Sequence, residues 1–445
     1  MKKLIIMAFA ISALLSGCDS WVDKAGTPNN TLTYDELKRP SMIATLQSNN
    51  ISDGPMVAFV KTLQGEAAAQ SFLALGTTVD ELTEGTIPNA LLYRHISSDN
   101  ITPSSGTQND LWNRLQNYYA RSIEVLNVAN ELPDNNTKAT NLSKAYGGYI
   151  GNLHAGYALQ LLAECFSTTP AAEGGSIRLN NALVSHEALL TMAQNHFNKA
   201  LEFVQMQAIK DASGFNYNAA VRQINTYKLR LAMHQQRYSD AATLVSLAIN
   251  DSEQVEVIYN NDGSDNPLYA AIGPNARDVQ VTADLEAARS TTAEQNALPL
   301  KHASVDKKNP NRYNIYASAL SRKGALVIAD AADIHFIKAE LIVRGVLSGD
   351  ALVEVNKVIA KYNASDAETA TPSLERIATL RRIFWHCVAN ELRTLDVAWN
   401  KVLRLQSGNN AKLNGCLCLK RNWKISPNSV RRRAIFLLVK EETSI

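Results

Sequence analysis

A spacing constrains this chain more than any other feature. In LWNRLQNYYARSIEVLNVANELP, residues 111–133, the apolar positions Leu111, Leu115, Tyr119, Ile123, Leu126 and Ala129 recur every three or four residues. That period lays them along one face of an α-helix. Pro133 then ends the run, because it lacks an N–H to donate and its ring obstructs the preceding turn. The plan repeats in SKAYGGYIGNLHAGYALQLLAECFSTTP, with Tyr146, Ile150, Leu153, Tyr157 and Leu161 on a stripe, Ser143 as an N-cap and Pro170 beyond the end. Gly147, Gly148, Gly151 and Gly156 in that stretch weaken helix propensity but let another helix approach closely. A third stripe runs through Leu189, Ala193, Phe197, Ala200 and Val204. Successive one-sided helices bury their stripes against one another, so the expected class is mainly α.

Later segments extend the pattern. In YKLRLAMHQQRYSDAATLVSLAI, residues 227–249, Tyr238, Ala241 and Ala248 sit at offsets of zero, three and ten, which resembles the second helix of a tetratricopeptide repeat. In DAADIHFIKAELIVRG the pair Asp330 and Asp333 resembles a capping box, Ile334, Ile337 and Leu341 form the stripe, and Gly345 can close the helix in the left-handed conformation. Leu352, Val355, Ile359 and Tyr362 mark its antiparallel partner. The expected architecture is a tetratricopeptide-like helical-repeat bundle. Residues 251–325 interrupt it, rich in Asn, Asp, Gly, Ser and Thr, with the turn cluster NNDGSDNP at 260–267. We read them as a long irregular insertion, the kind of segment that carries binding residues on a stiff support.

The leader fixes the expected address. Lys2 and Lys3 precede an apolar run from Leu4 to Leu15, too short to span roughly 30 Å of hydrocarbon. It ends Leu15-Ser16-Gly17-Cys18. This is similar to the bacterial lipoprotein box, which implies a signal peptide over 1–17 and acylation at Cys18. Two or three acyl chains, at about 0.8 kcal/mol per buried methylene, anchor a domain durably where one would not. The rest of the sequence offers no second apolar run long enough to cross a bilayer. A net charge of +2 gives no overall sign of a nucleic-acid partner, although residues 412–445 are locally basic, with Lys412, Lys420, Arg421, Lys424, Arg431, Arg432, Arg433 and Lys440. Five cysteines, three of them late in the chain at Cys387, Cys416 and Cys418, describe no disulfide framework.

Taken in order, the Cys18 box, the LW with YYARSIEVLN after it, AYGGYIGNLHAGYALQLLAECFSTTP, QRYSDAATLVSLAI and ADIHFIKAELIVRG followed by EVNKVIAKY resemble the SusD/RagB family of nutrient-binding outer-membrane lipoproteins, over about residues 18–383. The resemblance implies a surface-exposed, lipid-anchored protein of the outer membrane. It would capture an oligosaccharide, or in some members a peptide, for a SusC-like TonB-dependent outer-membrane transporter. Such a protein is no enzyme and needs no cofactor. Residues 384–445 depart from the family pattern: ELRTLDVAWNKVLRL supplies only Glu391, Leu392, Leu403 and Arg404 as loose matches. Two readings stand, a shifted reading frame after about Ile383 or a divergent native ending, since 391–405 still read as an amphipathic helix.

Motifs of catalysis are missing. No Gly-x-Ser-x-Gly elbow, Gly-x-Gly-x-x-Gly turn, phosphate loop or His-Glu-x-x-His helix occurs. His186-Glu187 lacks a second histidine and reads as a helix start, while Cys416-Leu-Cys418 lacks a matching pair, so no metal site is expected. NNDGSDNP lacks the spaced acids of an EF-hand and reads as a solvated turn. A sugar needs flat apolar faces with amides, guanidinium groups or carboxylates at their edges. Tyr93, Arg94 and His95, with Asp99 and Asn100 just after, offer that mixture as the candidate ligand site, with Tyr313 and Tyr316 as weaker candidates. Trp112 falls on a helix stripe and reads as core. Two other functions suit the same pattern: a helical scaffold for outer-membrane assembly, and a surface glycoside hydrolase using some pair among 42 acidic residues.

Overall fold

The computed structural model describes residues 34–47, 50–78, 82–84, 106–166, 177–179, 182–259, 265–273, 279–302, 312–315 and 321–384. Their architecture is mainly helical. The long helices are α1 (Pro55–Thr78), α2 (Gly106–Glu131), α3 (Lys138–Phe166), α4 (His186–Val204), α5 (Tyr217–His234), α6 (Tyr238–Leu244), α7 (Ala331–Val343), α8 (Ala351–Asn363) and α9 (Leu374–Phe384).

Helix α3 is the centre of the bundle, packed against α2 on one side and α4 on the other. Its predicted stripe is buried, but Tyr149, Leu159 and Leu162 off that stripe are buried as well. A helix flanked on both sides has little solvent face left, which one-sided periodicity does not express. Gly151 shows why small residues are needed: a Cβ there would lie 2.6 Å from Leu126 Cγ and 2.9 Å from the Ser122 carbonyl oxygen on α2. In α2 the buried face runs through Leu111, Leu115, Tyr118, Ser122, Val125 and Ala129, so Tyr119, Ile123 and Leu126 sit at its edge instead of its centre. The α4 stripe is fully buried as expected, and Ser185 caps that helix by accepting from the Ala188 N–H at 3.2 Å.

Helices α5 and α6 are joined through Gln236, whose φ of 57° reverses the chain, and Ala241 and Ala248 are buried in the expected manner. At α7 the Asp330 carboxylate accepts from the Asp333 N–H at 3.0 Å, half of the predicted capping box. The other half is absent because the Asp333 carboxylate is taken by Arg381 of α9, at 2.8 Å, with Arg230 of α5 at 3.9 Å. Arg381 also reaches Glu340 at 3.4 Å, and all four side chains are buried. Gly345 ends α7 with a φ of 73°, as predicted.

Within residues 251–325 the described parts are not bare loop. They contain the strand β1 (Val255–Val257) and helices at Pro267–Ile272, Ala283–Ala287 and Thr292–Ala297, the last closed by a capping box of Thr291 and Glu294. Strand β1 pairs antiparallel with Leu326–Ala329, and a small antiparallel sheet is ordered Leu82–Glu84, Val279–Val281, Tyr313–Ile315, Leu300–His302. Elements of three to six residues carry too few turns or pleats for periodicity to reveal.

Candidate functional site

An open cleft of about 1230 Å³ lies between α1, α3, the start of α5, the segment around β1, and the Asp330 end of α7 with α8. Helix geometry positions its walls. Ala58, Lys61 and Thr62 share one face of α1, while Tyr146, Tyr149, Ile150 and Leu153 come from one side of α3.

The aromatic part is a cluster of three rings. Phe215, half-buried, stands edge to face against Tyr146 and Tyr149, with both centroid distances 6.1 Å. The Tyr146 hydroxyl donates to Asp53 Oδ1 at 2.7 Å, Lys61 donates to Oδ2 at 2.6 Å, and the Tyr149 hydroxyl donates to Gln223 Oε1 at 3.3 Å. Burial, aided by the Asp53 charge, pushes both tyrosine hydroxyls well above their ordinary range, so they stay protonated donors. His154 behind them accepts or donates at 2.7 Å to the Tyr118 hydroxyl. Burial, with the nearby Lys61, pushes its imidazole down to about 3, so it is neutral.

The opposite wall is polar and acidic. Asp251, Glu253, Gln254 and Glu256 line it, and Arg222 grips both oxygens of Glu253, through Nε at 2.6 Å and Nη2, which holds that carboxyl below its usual range. The wall is fastened at its base by His335 of α7, whose ring nitrogens meet Asp251 Oδ1 at 2.8 Å and Glu354 Oε2 at 2.6 Å. Asp330, at the end of the cleft, is pushed up to about 6 by burial, partly countered by its bond from the Asp333 backbone. Among the described residues no group of three or more His, Cys, Asp or Glu side chains could hold a metal ion. The cleft combines ring edges, a carboxamide, hydroxyl donors and carboxylate acceptors, a set that can hold a polyhydroxylated molecule.

No family model and no curated protein sequence matches the chain. Solved structures do match it in fold. A SusD superfamily protein from Bacteroides vulgatus has a TM-score of 0.58 at 14% identity, covering 77% of this chain and 86% of that one. A laminarin-binding SusD-like protein has a TM-score of 0.57 at 14% identity, covering 79% and 93%. Surface glycan-binding protein A from Bacteroides thetaiotaomicron, in complex with laminarihexaose, has a TM-score of 0.52 at 14% identity, covering 76% and 90%. The fold is that of the SusD/RagB proteins.

In this chain of SusD/RagB fold the cleft is built from residues that sequence reasoning passed over. By spacing Tyr146 reads as one more stripe residue, and Tyr149, three positions on, is the available aromatic signal. Asp53, Lys61, Phe215 and Glu256 lie on separate elements, with no local pattern to join them. The predicted ligand residues Tyr93, Arg94, His95, Asp99 and Asn100 lie outside the described residues, as do Cys18, Tyr316 and everything after Phe384. Tyr313 sits half-buried in the small sheet and does not line the cleft. Trp112 packs edge to face on Phe166 at 5.2 Å, against the core. Of NNDGSDNP, the described end is bound up with protein: Asp265 pairs with Arg322 at 2.8 Å, and Asn266 caps the following helix.

Proposed function

We propose that this protein is a lipid-anchored glycan-binding protein of the outer-membrane surface, which takes up an oligosaccharide in the cleft and hands it to a TonB-dependent transporter. The observation that carries the reading is the SusD/RagB fold, shared with surface glycan-binding proteins of which one is in complex with laminarihexaose. The cleft supports it: Phe215 offers a partly open ring for the C–H surface of a sugar, and Gln223, Tyr149 and the Asp53–Lys61 pair offer edge groups for its hydroxyls. The anchor is Cys18, supported by the lipoprotein box alone. Capture and handover need moderate affinity and fast release, and no bond of the ligand is broken.

Calorimetry of the full chain with a panel of oligosaccharides tests the reading. Phe215→Ala should weaken the bound sugar by about 1 to 2 kcal/mol, because ring burial and its edge contacts are lost. Unchanged affinity in that variant places the sugar elsewhere, and absence of binding across the panel removes the function.

A further inference from the structure

We infer that the cleft selects an uncharged or amine-bearing oligosaccharide and turns away those bearing uronate or sulfate, an inference that rests on the glycan reading above. Its described lining carries five carboxylates, Asp53, Asp251, Glu253, Glu256 and Asp330, against the two ammonium groups of Lys61 and Lys361. Two of the cations near it are committed. Lys61 is bound to Asp53 at 2.6 Å, and Arg222, reaching in from α5, is spent on both oxygens of Glu253. Lys361 is exposed, and its charge partly offsets that of Asp330, the half-buried acid at the end of the cleft.

What a ligand meets is therefore mostly acceptor surface. The Glu256 carboxylate is partnered by the neutral Gln254 amide, which leaves its charge uncompensated. Asp251 gives one oxygen to His335, and its side chain remains 72% exposed toward the opening. Ionised carboxylates accept hydrogen bonds and cannot donate them, so the matching ligand is a donor. Sugar hydroxyls donate, and an ammonium donates with opposite charge. A uronate or sulfate brings acceptors and like charge into a half-enclosed space where screening is weaker than at open surface. Seating such an anion on Lys61 would break the Lys61–Asp53 pair and strand Asp53 beside Tyr146.

The experiment is binding of the full chain to an array of neutral, amine-bearing, uronate and sulfated oligosaccharides, at low and high salt, for the wild type, Glu256→Gln and Glu256→Lys. Expected is binding to neutral or amine-bearing members, with anionic members at least about tenfold weaker. That gap should narrow in high salt, narrow in Glu256→Gln and narrow further in Glu256→Lys. Equal or tighter binding of uronate or sulfate members by the wild type overturns the inference while leaving glycan binding intact. A gap that neither Glu256 variant alters overturns its assignment to this cleft. No binding to any member removes the glycan reading, and the selectivity falls with it.

Discussion

Asp330 joins two scales of the molecule in one side chain, since it caps α7 through the Asp333 N–H and also closes one end of the cleft. Its carboxyl is pushed up to about 6 because burial disfavours the charged form more than the cap favours it. The unfolded chain releases that proton near pH 3.9, before the folded protein does. Between about pH 4 and 6 the folded state therefore binds more protons, and stability falls as pH rises through that window. Asp330→Asn retains a good capping oxygen and removes the titration. Chemical denaturation across this range should show the wild type losing about 2 to 3 kcal/mol that the variant does not lose. The sequence spacing of Asp330 and Asp333 revealed the cap. It could not reveal that Asp333 would turn away to Arg381, a residue 48 positions later, because only packing of α7 on α9 brings the two together.

At the scale of elements, α2, α3, α4, α7 and α8 were legible from their stripes, most clearly α4, whose every predicted core residue is buried, whereas α1 and α9 were not read. The central helix α3 was legible as a helix and illegible as a centre, its glycines being the one hint. Gly151→Ala improves helix propensity by about 1 kcal/mol. It also drives a methyl into Leu126 and the Ser122 carbonyl, and the carbonyl cannot swing aside. Overpacking of this kind costs about 1 to 3 kcal/mol, so the variant should have a lower denaturation midpoint than the wild type despite the better helix former. The Arg230–Asp333–Arg381–Glu340 cluster ties α5, α7 and α9. Asp333→Ala leaves two guanidinium groups buried without their shared carboxylate and should cost about 3 to 5 kcal/mol in urea denaturation, far above an ordinary surface ion pair.

At the scale of the molecule, the proposed attachment and the proposed recognition lie at separate places in the chain. The proposed tether rests on a local pattern, the leader and Cys18, and the full-length protein expressed in a lipoprotein-processing cell should incorporate labelled palmitate while Cys18→Ala does not. The candidate recognition cleft is assembled from afar: Asp53, Tyr146, Phe215 and Glu256 meet there across some two hundred residues of chain. The sequence by itself determined the helical class, the courses of α2, α4, α7 and α8, most of α3, which starts at Lys138 and not at the expected cap Ser143, the cap of α7 and its glycine stop, because each depends on neighbours within one or two turns. The tertiary structure alone decided which stripe residues reach the core, that α3 lies at its centre, that part of the insertion folds into short strands and helices, and where the cleft opens. Those outcomes depend on side chains far apart in sequence competing for the same contacts, and no local period records that competition.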